Sequence, residues 1–163
     1  MFRLPLNTQL QDYMFTRNVL IFLLSLTGCA HTHNTHVEYP TSATVLPDGL
    51  PISEAVRVDN TLYLSGMIGI TPRTMQLVSG GIEAESRQTM DNIEAILKAH
   101  GASMDNIVKC TAMLADISEW GTFNQVYKTY FNSHYPARSA LGANGLALGA
   151  RVEVECFAII DDD

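Results

Sequence analysis

Residues 82–101, IEAESRQTMDNIEAILKAHG, and then residues 107–117, IVKCTAMLADI, decide the fold class. In the first stretch Met90, Ile93, Ile96 and Leu97 recur at steps of three and four, the period of a helix with one apolar face. Gly101 supplies its C-terminal stop. The second stretch is apolar and partly β-branched, and reads as a strand. Ser118 is placed to N-cap a second helix, with Glu119 in its first turn. Phe123, Val126, Tyr127, Tyr130 and Phe131 then follow at helical spacing, as core residues would. Upstream, residues 54–58 and 61–65 alternate apolar and polar around Asp59-Asn60, a two-residue hairpin signal. Pro72 and Gly80-Gly81 punctuate the loop before the first helix. Downstream, residues 139–143 and 151–160 read as two closing strands around a turn rich in glycine (Gly142, Gly145, Gly149). The order is β-β-α-β-α-β-β, an α+β layer with two helices on one face of a sheet.

The chain has 163 residues, 47% hydrophobic and 17% charged, which is a globular composition. That length favours one domain and leaves no room for a large barrel. Ten basic against seventeen acidic side chains give a formal charge of -7, which runs against nonspecific nucleic-acid binding. The three cysteines, Cys29, Cys110 and Cys156, have neither CxxC nor zinc-type spacing, so no metal site is expected. One disulfide, Cys110–Cys156, is open to the chain in an oxidising compartment. Two cysteines in core strands read more readily as buried thiols.

The N-terminal part reads as an address. Arg17 and Asn18 precede the apolar run Val19 to Leu26, the pattern of a secretory signal and too short for a membrane span. Leu26-Thr27-Gly28-Cys29-Ala30 resembles the lipobox of bacterial lipoproteins, which implies lipidation of Cys29 as the mature N-terminus. Residues 1–28 are then a signal peptide, with Met14 a better start than Met1 and residues 1–13 either a mis-assigned start or an unusual extension. Loss of Arg3, Arg17 and Asp12 leaves eight basic and sixteen acidic residues, so anchoring would rest on acyl chains alone. Residues 29–50 read as the lipidated cysteine and a flexible polar tether, and residues 51–160 as the folded domain. The tether's His31, His33 and His36 read as solvated linker in preference to a metal site. The expected location is exported, membrane-anchored and facing the periplasm. Ala30, not being aspartate, leans by resemblance to the outer membrane.

Few residues of the domain are equipped for chemistry. No Ser-His-Asp order, HExxH or phosphate loop is present. Glu153 and Glu155 share one face of the last strand, because side chains alternate. That face meets either solvent or an interface, and spacing alone favours solvent. Arg138 follows Pro136, whose ring fixes the approach of the chain. Arginine offers a planar fork that matches a carboxylate and keeps its proton. The bland alternative is a surface salt bridge.

Tyr135-Pro136-Ala137-Arg138-Ser139 and Arg151-Val152-Glu153-Val154-Glu155 resemble the C-terminal signature of the RidA/YjgF family of enamine/imine deaminases. Leu64-Ser65-Gly66, Gln88-Thr89-Met90-Asp91-Asn92-Ile93 and Phe123-Asn124-Gln125-Val126-Tyr127 extend the resemblance across residues 51–160. It implies a chorismate-mutase-like fold and a homotrimer with sites in the clefts between subunits. The implied reaction is hydrolysis of 2-aminoacrylate- or 2-iminopropionate-like intermediates to 2-keto acids and ammonia, without metal or organic cofactor. By the same resemblance Arg138 holds the substrate carboxylate, Glu153 positions or activates water, and Ser65 and Asn124 line the pocket. An imine carbon is already electrophilic, so orientation beside a placed water supplies much of the catalysis.

The chain departs from the family pattern in places. Ile52 stands where many deaminases carry tyrosine after Gly-Pro, Ala140 where some carry cysteine, and Leu146-Ala147 where Leu-Pro is usual. These departures put rate and substrate range in question. Two alternatives to the deaminase stay open. One is a trimer that binds small carboxylates without turnover, favoured by Ile52. The other is a nuclease, opposed by the acidic charge.

Overall fold

A computed structural model describes residues 34–40 and 43–160. Among them are seven strands, β1 (Val37–Glu38), β2 (Ala55–Val58), β3 (Thr61–Leu64), β4 (Met67–Ile68), β5 (Ile107–Leu114), β6 (Ala137–Gly142) and β7 (Val152–Ile159). The helices are α1 (Gly81–Ala99) and α2 (Trp120–Tyr127). One mixed sheet runs β1-β2-β3-β7-β5-β6, with β4 also on β7. Only β5 and β6 pair in parallel, and α2 lies in their crossover. Both helices lie on one face of this sheet, the α+β architecture expected.

Periodicity accounts for the packing. Along β7, Val152, Val154, Cys156 and Ala158 are buried and the residues between them are half-buried. Their buried side chains join Met90, Ile93, Ile96 and Leu97 of α1 and Phe123 of α2 in one core. Each such aliphatic side chain contributes about 1.5–3 kcal/mol. The Asp59-Asn60 turn closes a hairpin with Val58 opposite Thr61. Gly101, at φ 73°, ends α1 in a Schellman arrangement, its N–H meeting the Lys98 carbonyl and that of Ala102 meeting Leu97.

Three expectations need correction. Ser118 does not cap the second helix. The Asp116 carboxylate accepts from the Ser118 N–H at 2.9 Å and starts a 3₁₀ turn, Ile117–Glu119, which leads into α2. Residues 35–40 and 43–50 are not a tether but belong to the compact unit Thr35–Asp163. There β1 pairs with β2, Val45 is 0% exposed, and the buried Glu54 carboxylate accepts the N–H groups of Thr44 (3.0 Å), Val45 (2.5 Å) and Leu46. A carboxylate ten residues away satisfies backbone that sequence pattern alone leaves open. Third, Cys110 and Cys156 are not free thiols. They stand opposite each other on β5 and β7, with Cα atoms 4.1 Å apart, and form a disulfide. Closing a loop of this size stabilises by about 4 kcal/mol on chain-entropy grounds. Cys29 and the proposed leader, like His31 and His33, lie outside the described residues. No helix among the described residues is long and apolar enough to cross a membrane.

Candidate active site

Arg138 sits at the start of β6, directly after the extended Pro136-Ala137 entry. Its register partner is Cys110, whose side chain is buried on the helix side, so Arg138 faces α2. There its Nη2 donates to the Asn124 Oδ1 at 2.6 Å. The guanidinium carbon lies 4.5 Å from the Tyr127 ring centroid and 5.4 Å from that of Phe123, within cation–π range. Burial pushes the Tyr127 phenol up to about 12, with Arg138 opposing, so a neutral ring lies under the cation. No carboxylate of the described residues pairs with Arg138. A half-buried arginine held by an amide and two rings, with no ion pair among the described residues, has the chemistry to accept an anion.

Glu153 occupies the other face. It pairs with Ile68 and Met113, an odd number of residues from the buried positions Val152 and Val154. Its carboxylate lies over Gly66: a Cβ placed there would fall 2.1 Å from Glu153 Oε1. Burial first, and the neighbouring Glu155 second, hold the Glu153 carboxyl above the ordinary glutamate range. Ser65 stands beside Gly66, its hydroxyl donating to the Ser53 carbonyl at 2.7 Å and its N–H to the Glu54 carbonyl at 3.0 Å. Both acidic residues are half-buried even in the single chain, so neither reads as a purely solvated charge.

The structure therefore brings Arg138 to Asn124, and Glu153 to the Ser65-Gly66 corner, but places the two groups on opposite faces of one sheet. Ile52 is 55% exposed near the corner that Ser53 and Glu54 form. β6 ends the sheet, so its outer backbone edge is open beside Arg138. A concavity of about 490 Å³ between α1 and α2, lined by Glu83, Arg87, Ser118, Thr122 and Gln125, includes none of the expected residues. Sequence reasoning missed Phe123 and Tyr127, whose helical spacing marks them as core. Their signal was the pair bracketing Asn124 on the helix that precedes Arg138.

A family model described as Endoribonuclease L-PSP matches residues 48–160. The 2-iminobutanoate/2-iminopropanoate deaminase of Homo sapiens is 49% identical over 109 residues, 67% of this chain and 80% of the relative. The crystal structure of RidA from an Antarctic Psychrobacter superposes with a TM-score of 0.71 at 34% identity, covering 76% of this chain and 99% of that one. That of Escherichia coli TdcF with bound serine gives 0.70 at 26% identity, again over 76% and 99%. With the match spanning strands, both helices, Arg138 and Glu153, this chain belongs to the Endoribonuclease L-PSP family, the group that contains the RidA-type proteins.

Proposed function

We propose that this chain hydrolyses small 2-imino and enamino acids to 2-keto acids and ammonia. The observation that carries the reading is Arg138: a fixed guanidinium, held by Asn124 and stacked on Tyr127, with no carboxylate of the described residues in its fork. Such a group suits a small substrate carboxylate. The deaminase name of the human relative and the serine bound to TdcF point to the same ligand size and charge. In the reaction Arg138 orients the acid. Water adds to the imine carbon, and Glu153 takes and returns the proton as the C–N bond breaks and ammonia leaves. Glu153's raised pKa, with its proton exchanged closer to neutrality, fits that exchange.

Arg138 and Glu153 lie on opposite faces of one chain, which supports a site completed between copies, as in the interface clefts of the homotrimer that the family resemblance implies. The family description includes endoribonuclease, but a formal charge of -7 opposes phosphate binding. Export and a lipid anchor at Cys29, facing the periplasm, remain part of the proposal. The Cys110–Cys156 disulfide supports an oxidising compartment.

An amino-acid oxidase generating 2-imino acids in situ, with semicarbazide as competing trap, tests the reading on the purified full chain. Faster imine loss with ammonia release, abolished in Arg138→Ala, is the expected result. No acceleration for any imino acid, with the assembly intact, overturns it. Carboxylate-dependent thermal stabilisation without product would then make the chain a binding trimer.

A further inference from the structure

The disulfide is in line with the arginine. Cys110 on β5 is registered to Arg138 on one side and to Cys156 on the other. Registered side chains share a face, so Arg138, Cys110 and Cys156 form one row across β6, β5 and β7. α2 covers the Arg138 end of that row with Asn124, Phe123 and Tyr127. Both cysteines are completely buried. The bridge closes a span of 46 residues, and that span contains α2 and β6. Every described contact that orients the guanidinium therefore lies inside the closed loop. Arg138 itself stands on an edge strand, held by a ladder on one side only. Such a strand depends on β5 for its position, and β5 is bonded covalently to β7, which lies inside the sheet between β3 and β5.

We propose that the Cys110–Cys156 disulfide is a positioning element for Arg138, fixing the height and orientation of the carboxylate-binding fork relative to β7. The inference deepens the reading of Arg138 as a carboxylate site and does not require that imines be turned over. The two thiols forming the bridge lose two electrons and two protons to the oxidant of an oxidising compartment, such as a dithiol oxidase. A bridge at full burial then resists exchange, because a thiolate must reach the sulfur to attack it. A purely stabilising crosslink would lower the unfolding midpoint when lost and leave ligand affinity alone. A positioning crosslink also changes affinity in the folded protein.

The test compares the oxidised full chain with Cys156→Ala and with Cys110→Val/Cys156→Ala, which partly refills the core without a bridge. Three readouts are taken well below the unfolding midpoint. They are the Arg138 Nε–Hε resonance in ¹⁵N spectra, the Kd for pyruvate, and KM against kcat for 2-iminopropanoate. Both variants should broaden the Arg138 resonance, raise Kd and KM about tenfold and lower kcat as well, because a displaced fork carries the imine carbon away from the placed water. Unchanged resonance, Kd and KM in both variants overturn the proposal and leave a stabiliser only. Should the variants not fold, the wild-type chain is reduced with a phosphine in denaturant, which exposes the buried bridge, then refolded with its thiols reduced and finally reoxidised for the same comparison. Recovery of affinity on reoxidation supports the proposal, and equal affinity in both states overturns it. If the oxidised chain hydrolyses no imine while pyruvate affinity still follows the bridge, the deaminase reading fails and the positioning role stands.

Discussion

The guanidinium of Arg138 is oriented by uncharged partners, whereas Glu153 is tuned by a charged one. Burial is the larger cause of Glu153's raised pKa and Glu155 the smaller. If ionised Glu153 takes the proton from water, kcat/KM rises with pH through that raised value. Glu155→Gln removes the like charge, so the acid limb of the pH profile should move to lower pH; a move upward would contradict the assignment. At Gly66 the crowding falls on the flexible end of the Glu153 side chain. Gly66→Ala should therefore keep the fold but displace the carboxylate, lowering kcat by roughly 10²-fold, as misplacement by about 1 Å can. Steady-state kinetics with a thermal melt separate the two effects. Arg138 and Glu153 stand out in the sequence as charges in apolar strands, but spacing alone favours solvent for Glu153, and only the family resemblance assigns the two their roles. Phe123 and Tyr127 do not stand out, since a ring that fills the core and a ring that also stacks on a cation leave the same helical period. The partner of Asn124 was hidden too, because a side-chain contact across 14 residues needs the crossover to be folded first.

At the scale of elements, α1, β5, β7 and the β2–β3 hairpin follow from period and turn chemistry. What pattern could not supply was anything held by a distant partner. The segment 43–50 has no apolar period, yet it is clamped by Glu54 and sends Val45 and Leu46 into the core. Glu54→Ala leaves three backbone donors to find new acceptors and should cost at least about 3 kcal/mol, read as the loss of unfolding free energy in urea. An unchanged denaturation midpoint would mean that the clamp is dispensable. The disulfide was equally hidden: two cysteines 46 apart reveal nothing of their register, and only the pairing of β5 with β7 sets them opposite.

For the whole molecule, the proposed function needs Arg138 and Glu153 in one site, and their division between two faces of a sheet means that such a site can form only between copies. It leads to a complementation experiment. Arg138→Ala and Glu153→Gln should each be inactive alone. Unfolded together and refolded in equal amounts, they should regain activity, because about a quarter of the interfaces in a mixed cyclic trimer receive both intact residues. No recovery, with mixed assemblies formed, would place the site within a single copy. Trp120, the chain's one tryptophan, opens α2 at 46% exposure, one turn ahead of the asparagine that grips Arg138. Its indole is thus a built-in optical reporter. Emission excited at the red edge of absorption comes from this helix, so if Arg138 takes a carboxylate as proposed, a change in its colour would report the event without label or product.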